Sequence, residues 1–374
     1  MDLNVIEVNS SQLITNLQSI RTWVNATHNK PVKLCFPVKA NAYGHGLVDI
    51  AKIAEPYVDY LGVADKSEAQ ILRENNINCP VLLFGAFDYE NVAWVIQHKV
   101  EFTIASFEKA KKVQNICAQL GAKCKVHIKI DTGMNRIGVN VNNAWELIEF
   151  VHNAPEFELV GVYSHLACSE EEDPSTTLAQ IDSFSKLVTK IKVLINPNII
   201  CHLANSGGVC YYPQSYFDMV RPGILGYGYF PRNKLDNYQL NQIKPCFTLK
   251  SHVIYFKGVD KNQGISYNHT YITPNRTHIA TIPIGYGDGY RRMLSNCGEV
   301  LIHGHKYKIV GNICMDMLMV DIGAHGKSVV GDEVILIGKQ GDEAITLENV
   351  ALKCNTITYE ILCAFTARIP RIYL

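Results

Sequence analysis

Lys39 closes an apolar run, Val32 to Val38, inside the segment VKANAYGHG at residues 38–46, and Gly44 and Gly46 follow close behind. A primary amine at the mouth of a cleft can form a Schiff base with a carbonyl group. Alone, such a lysine suits a packing role equally well, its stem on apolar surface and its ammonium in water. Other polar groups end apolar runs in the same manner. Lys129, Asp131 and Arg136 follow one, His165 follows the next, and Asn205-Ser206-Gly207-Gly208 and Arg221-Pro222-Gly223-Ile224 follow two more. The last two segments fit an anion cup of the kind barrel enzymes build from backbone N–H groups after their seventh and eighth strands. An amine facing a phosphate cup points to pyridoxal 5'-phosphate, attached at one end and anchored at the other.

Competing phosphate and metal motifs fail on their own residues. GYGDGY at 285–290 starts like a dinucleotide fingerprint, but Tyr290 holds the third glycine position and no strand-to-helix unit surrounds it. Gly326-Lys327-Ser328 ends like a P-loop, yet Asp321 stands where the earlier glycine belongs. His303 and His305 lie two apart on a turn with no third ligand nearby, so they read as solvated and no metal site is expected.

The elements that must position these groups alternate. Strand-like runs lie near residues 32–38, 60–64, 81–84, 102–105, 126–130, 159–164, 199–202 and 219–221. Between them apolar residues recur at helical spacing, as in Leu13, Leu17, Ile20 and Val24, and in Leu178, Ile181, Phe184, Val188, Ile191 and Ile195. Eight such repeats predict a parallel (β/α)8 barrel over residues 10–240. Past Pro245 the texture becomes mostly β, with strands expected in 247–256, 300–302, 307–310 and 334–337 and a short helix opening at Thr346. Val5 to Val8 could pair with that half, which predicts a second domain of residues 1–9 plus 241–374.

Composition narrows the function classes. Lys and Arg total 35 against 35 Asp and Glu, a formal charge of +0, which removes the electrostatic case for nucleic acid. Hydrophobic residues make up 47% of 374, enough for a large core, and no apolar run reaches membrane-spanning length. The 12 Cys are scattered with no C-x-x-C pair, and the N-terminal Met1 to Glu7 carries two acids and no basic region. A cytoplasmic protein with reduced thiols and no membrane partner is the expectation.

VKANAYGHG closely resembles the cofactor-attachment segment of the alanine racemase family. The resemblance continues through KIDTGMNRIG at 129–138, SHLACS at 164–169, HLANSGG at 202–208, DMVRPGI at 218–224, ISYNHTY at 265–271, GYGDGYRR at 285–292, CMDM at 314–317 and TYE at 358–360. It implies interconversion of L- and D-alanine, supplying D-alanine for bacterial cell-wall peptidoglycan, by a pyridoxal-phosphate enzyme with two bases. Lys39 resembles the Schiff-base lysine and first base, and Tyr267 the second base. In this family that tyrosine comes from the other subunit, which implies a homodimer with shared sites. His165 and Arg221 resemble the pair that links the tyrosine to the cofactor ring. An arginine at the ring nitrogen leaves that nitrogen unprotonated, and weaker charge delocalisation favours proton return over transamination.

The resemblance also implies that Tyr43, Asn205, Ser206, Gly223, Ile224 and Tyr359 bind the cofactor, chiefly its phosphate. Arg136 and the backbone of Met315 resemble the groups that hold the substrate carboxylate, and Lys129 resembles a lysine carried as a carbamate beside that arginine. Asp173, Tyr286, Arg292 and Asp316 resemble residues that narrow the substrate's approach. Two departures bear on that approach: Asn312 and His269 stand where the family usually has arginines. The rival readings are a serine or broad-specificity racemase of the same family and a non-catalytic pyridoxal-phosphate-binding barrel. The latter has no use for the β half that carries Tyr267 and Met315.

Overall fold

Eight parallel strands close on themselves in chain order: Lys33–Pro37, Tyr60–Val63, Val81–Leu83, Val100–Ile104, Cys124–Asp131, Phe157–Tyr163, Ile200–His202 and Met219–Val220. The last returns to the first through Met219 opposite Lys33, so no edge is left open. The coordinates are a computed structural model that describes residues 3–28, 30–85, 88–232, 240–326 and 328–374. Lys327 of the rejected P-loop reading and the first two residues of the chain lie outside them. Each barrel strand falls on one of the eight apolar runs, because a strand covered on both faces needs apolar side chains at nearly every position.

Two compact units form, one of Ser11–Ala42 and Leu47–Pro245, the other of Met1–Ser10, Tyr43–Gly46 and Cys246–Leu374. In the barrel unit the helix Ser10–Thr27 buries Leu13, Leu17, Ile20 and Val24, the face its spacing predicts. The helix Ser175–Leu194 buries Ile181, Phe184, Val188 and Ile191, but Leu178 is 44% exposed. Gln180 takes an inner position of its first turns, where it bonds the loops that follow the fifth and sixth strands. Side-chain caps at Asp65 and Ser106 open two further barrel helices, each accepting a backbone N–H three residues on.

In the sheet unit nine strands run in the order Tyr255–Val259, Thr277–Ile282, Leu318–Gly323, His305–Ile309, Glu299–Ile302, Glu333–Gln340, Phe247–His252, Val5–Val8 and Arg371–Tyr373. Val5–Val8 pairs antiparallel with Phe247–His252 and parallel with Arg371–Tyr373. Tyr43–Gly46 groups here because a Cβ on Gly44 would lie 2.1 Å from the Leu362 carbonyl oxygen, and Arg371 donates to the Gly44 carbonyl at 3.1 Å. His303 and His305 are exposed on their turn, as read, and His303 Nε2 lies 2.9 Å from the Asp332 carboxylate. Among the described residues no helix is long and apolar enough to cross a membrane, and no three ligating side chains cluster as a metal site.

Candidate active site

The barrel contributes one set of groups. Lys39 follows the first strand, half-buried, and the chain turns left-handed at once: Ala40, Asn41, Ala42 and Tyr43 have φ between 52° and 54°. Residues with a Cβ resist that conformation by about 1–2 kcal/mol each, so outside contacts must hold it. One is the Glu68 carboxylate, which accepts the Ala40 N–H at 2.6 Å and the Ala64 N–H at 2.7 Å. Another is the Asn41 side chain, which accepts the Leu47 N–H at 2.9 Å.

Arg221 is almost wholly buried and its fork donates to Ser164 O at 2.7 Å, Leu203 O at 3.0 Å, His202 Nδ1 at 2.7 Å and His165 Nδ1 at 3.1 Å. Burial lowers its pKa to about 10, which leaves it charged at neutral pH. A guanidinium only donates, so His165 must accept at Nδ1 and carry its proton on Nε2. Burial, then Arg221, Lys129, Arg136 and Lys39, hold His165 well below the ordinary imidazole range. Lys129 is buried against the Tyr163 ring at 5.0 Å, and burial with Arg221 and Arg136 pulls it down to about 6. Of these groups Arg221 meets the imidazole directly, at 3.1 Å.

The two segments expected to form an anion cup also follow barrel strands, the seventh and the eighth. Asn205 caps the helix Ser206–Tyr211, its Oδ1 accepting the Gly208 N–H at 3.0 Å and the Ser169 hydroxyl at 2.8 Å. A Cβ on Gly207 would lie 2.5 Å from Ser169 Oγ, so only glycine lets the helix start so close to the sixth strand's loop. Ser206 Oγ accepts the Leu225 N–H at 3.2 Å, tying this helix start to the Gly223-Ile224 turn. Asp173 is exposed instead, with its carboxylate turned back on the Ser175 N–H and hydroxyl at 2.9 and 2.8 Å. Arg136 is exposed on the loop after the fifth strand.

The sheet unit carries the other expected residues. Tyr43 and Tyr359 come together with ring centroids 6.0 Å apart, and burial raises the Tyr43 phenol. Tyr267 is 70% exposed on a short turn between Gly264–Ile265 and Tyr271–Ile272, flanked by positive φ at Ser266, Asn268 and His269. Asn312 holds that turn, donating to the Tyr267 carbonyl at 2.8 Å and accepting the Ser266 hydroxyl at 2.5 Å on its own carbonyl. Exposed Tyr286 and Met315 share a backbone knot, where Tyr286 N–H donates to Cys314 O and Gly287 N–H to Met315 O. Asp316 pairs with Arg368 at 2.8 Å, and exposed Arg292 starts the turn Arg292–Leu294, which buries Leu294.

Residues 8–231 match the family described as alanine racemase, N-terminal domain, and residues 246–373 match alanine racemase, C-terminal domain. The chain belongs to the alanine racemase family. Alanine racemase 2 of Caldanaerobacter subterraneus subsp. tengcongensis is 38% identical over 371 residues, covering 99% of this chain and 94% of that one. The alanine racemase structure from Clostridium difficile superposes with TM-score 0.89 at 36% identity over 100% of this chain and 96% of that one. The alanine racemase structure from Bartonella henselae with covalently bound pyridoxal phosphate has TM-score 0.88 at 29% identity, with 100% of each chain covered.

Several residues that position this family site were not singled out from sequence. Glu68 and Gln180 hold the loops: Gln180 donates to His165 O and Thr132 Oγ1 and accepts the Ala167 N–H. His127, His202 and Glu101 lie inside the barrel. Their one sequence signal is a polar residue within an apolar strand, with His127 on the same side of its strand as Lys129.

Proposed function

We propose that this protein interconverts L-alanine and D-alanine with pyridoxal 5'-phosphate attached at Lys39. The observation that carries the reading is the placement of Lys39 at the end of the first strand and of Arg221, hydrogen-bonded to His165, at the end of the eighth, beside a capped helix start. So much positive charge in a partly buried mouth calls for an anionic occupant, and a phosphate plus a substrate carboxylate supply it. Ser206, Gly223, Ile224 and the Asn205-capped helix start would hold the phosphate with Tyr43 and Tyr359. Arg221 would face the ring nitrogen as a donor that keeps its own proton. When bound, the conjugated ring withdraws electrons from the substrate Cα and makes its proton acidic.

Lys39 then takes or returns that proton on one face of Cα. Tyr267 does so on the other, supplied by a second copy of the chain. His165, neutral with its proton on Nε2, offers a donor to the phenolate oxygen, and the fixed charge of Arg221 lies directly behind it. Arg136 and the Met315 N–H orient the carboxylate, while Tyr286, Arg292, Asp173 and Asp316 shape the approach. A largely discharged Lys129 amine is the form that adds carbon dioxide, and the resulting carbamate would pair with Arg136. We place the protein in the cytoplasm, where its twelve free cysteines stay reduced.

Borohydride reduction of purified protein followed by peptide mapping should place the cofactor label on Lys39, and chiral chromatography should show L- to D-alanine conversion. Label on another lysine, or turnover of serine well above that of alanine, would overturn the cofactor or the substrate assignment respectively.

A further inference from the structure

A chain of buried groups runs up the inside of the barrel. It begins at Glu101, near the start of the fourth strand, and ends at Arg221, just past the eighth. The Glu101 carboxylate lies 2.8 Å from His127 Nε2, His127 Nδ1 lies 3.1 Å from His202 Nε2, and His202 Nδ1 lies 2.7 Å from Arg221 Nη1. The exposure of Glu101 is 5%, and both imidazoles are fully buried.

Only one arrangement of protons satisfies all three contacts. Arg221 has no acceptor, so His202 accepts at Nδ1 and carries its proton on Nε2. That proton goes to His127 Nδ1, and His127 therefore carries its own on Nε2 and donates it to Glu101. Adding a proton to either ring would set two N–H groups against each other. The surroundings hold the rings in place. A Cβ on Gly161 would lie 2.3 Å from His127 Nδ1, and Tyr163 stacks on His202 with centroids 4.7 Å apart and planes within 5°. The Tyr60 ring meets His127 edge-on at 6.1 Å, and its phenol is raised by burial and then by the Glu101 carboxylate beside it.

We infer that Glu101 is a positioning residue for Arg221, acting through the tautomers of His127 and His202 from the end of the barrel opposite Lys39. Arg221 fixes the proton order from one end and the carboxylate holds it from the other, giving the His127 Nε2–H its acceptor and keeping both rings seated with His202 Nδ1 facing the guanidinium. The guanidinium plane is thereby locked with its remaining donors aimed at Ser164, Leu203 and His165. The consequence for catalysis rests on the proposed reading, in which Arg221 faces the cofactor ring. The proton order itself does not.

Nitrogen-15 NMR of histidine-labelled protein tests that order directly, without substrate. Both rings should show protonated Nε2 and bare Nδ1 in the parent protein. Glu101→Leu removes the acceptor and should give mixed tautomers at His127 and His202. It should also shift the absorbance of bound pyridoxal phosphate and lower kcat about tenfold or more, with little change in KM for alanine. Glu101→Gln keeps an acceptor and should retain the tautomers with a smaller fall in kcat. Gly161→Ala, which displaces His127 and leaves every polar group present, should reproduce the Glu101→Leu tautomer mixing and stands in for it if that variant does not fold. A proton on Nδ1 of either ring in the parent, or unchanged tautomers in both Glu101→Leu and Gly161→Ala, would overturn the relay. Mixed tautomers with unaltered cofactor absorbance and kcat would overturn the positioning role. Absence of alanine turnover in the parent, with the tautomers as stated, would count against the proposed function alone.

Discussion

Lys129 sits in the barrel mouth as a cation that its surroundings have nearly discharged. Its pKa falls from 10.5 to about 6 through burial first and the Arg221 and Arg136 charges second. The unfolded chain therefore binds more protons than the folded one between those values, so this residue makes stability rise with pH across that window and adds no slope below it. The slope is at most about 1.4 kcal/mol per pH unit. In carbon-dioxide-free buffer, denaturant titration of the parent against Lys129→Met should show the parent gaining on the variant by roughly 2 kcal/mol between pH 7 and pH 9. Parallel curves would mean that Lys129 keeps its proton or reaches water. With bicarbonate present the same difference should shrink, because a carbamate no longer titrates as an amine.

At the scale of elements, the left-handed turn after Lys39 is the costly one. Its four residues all carry a Cβ, and its backbone contacts to Glu68 and through Asn41 oppose the strain. Ala40 is exposed, so replacing it removes no packed surface. Ala40→Gly should raise folding stability by about 1 kcal/mol, the relief of left-handed strain less the extra freedom glycine gains when unfolded. Thermal or denaturant unfolding measures this, and a loss of stability would show that the methyl group does more than clash. Racemisation should slow at the same time if the turn's rigidity is what aims Lys39.

For the whole molecule, the two residues proposed as bases belong to different compact units of the chain, Lys39 to the barrel and Tyr267 to the sheet. Under the proposed function each site draws one base from each of two copies. Mixed Lys39→Ala and Tyr267→Phe proteins, allowed to exchange subunits, should then form hybrids in which one site of two is intact. Activity should rise well above that of either variant alone. Exchange demonstrated by mass spectrometry without any recovery would mean that both bases come from the same chain.

The periodicity of this sequence determined the barrel, since fully covered parallel strands leave eight apolar runs and their helices leave apolar stripes. Local spacing also carried Lys39, the Asn205 cup and the Arg221 turn, because polar residues just past apolar strands point to the mouth. Leu178 misled, as helical spacing cannot tell which turn of a helix meets loops and which meets core. The Asp332 contact of exposed His303 was not legible, because Asp332 lies 29 residues along the chain, on the far side of two strands. Glu101, His127 and His202 were unreadable for the same reason. Each is a polar residue on a strand of the barrel wall, and only barrel closure joins them across strands into one hydrogen-bonded chain that ends at Arg221. Asn312 likewise reads as a missing arginine in the sequence, whereas the fold makes it the side chain that holds the Tyr267 carbonyl. Patterns within one strand or helix are written in order along the chain, but contacts between strands depend on register and closure, which only the assembled structure decides.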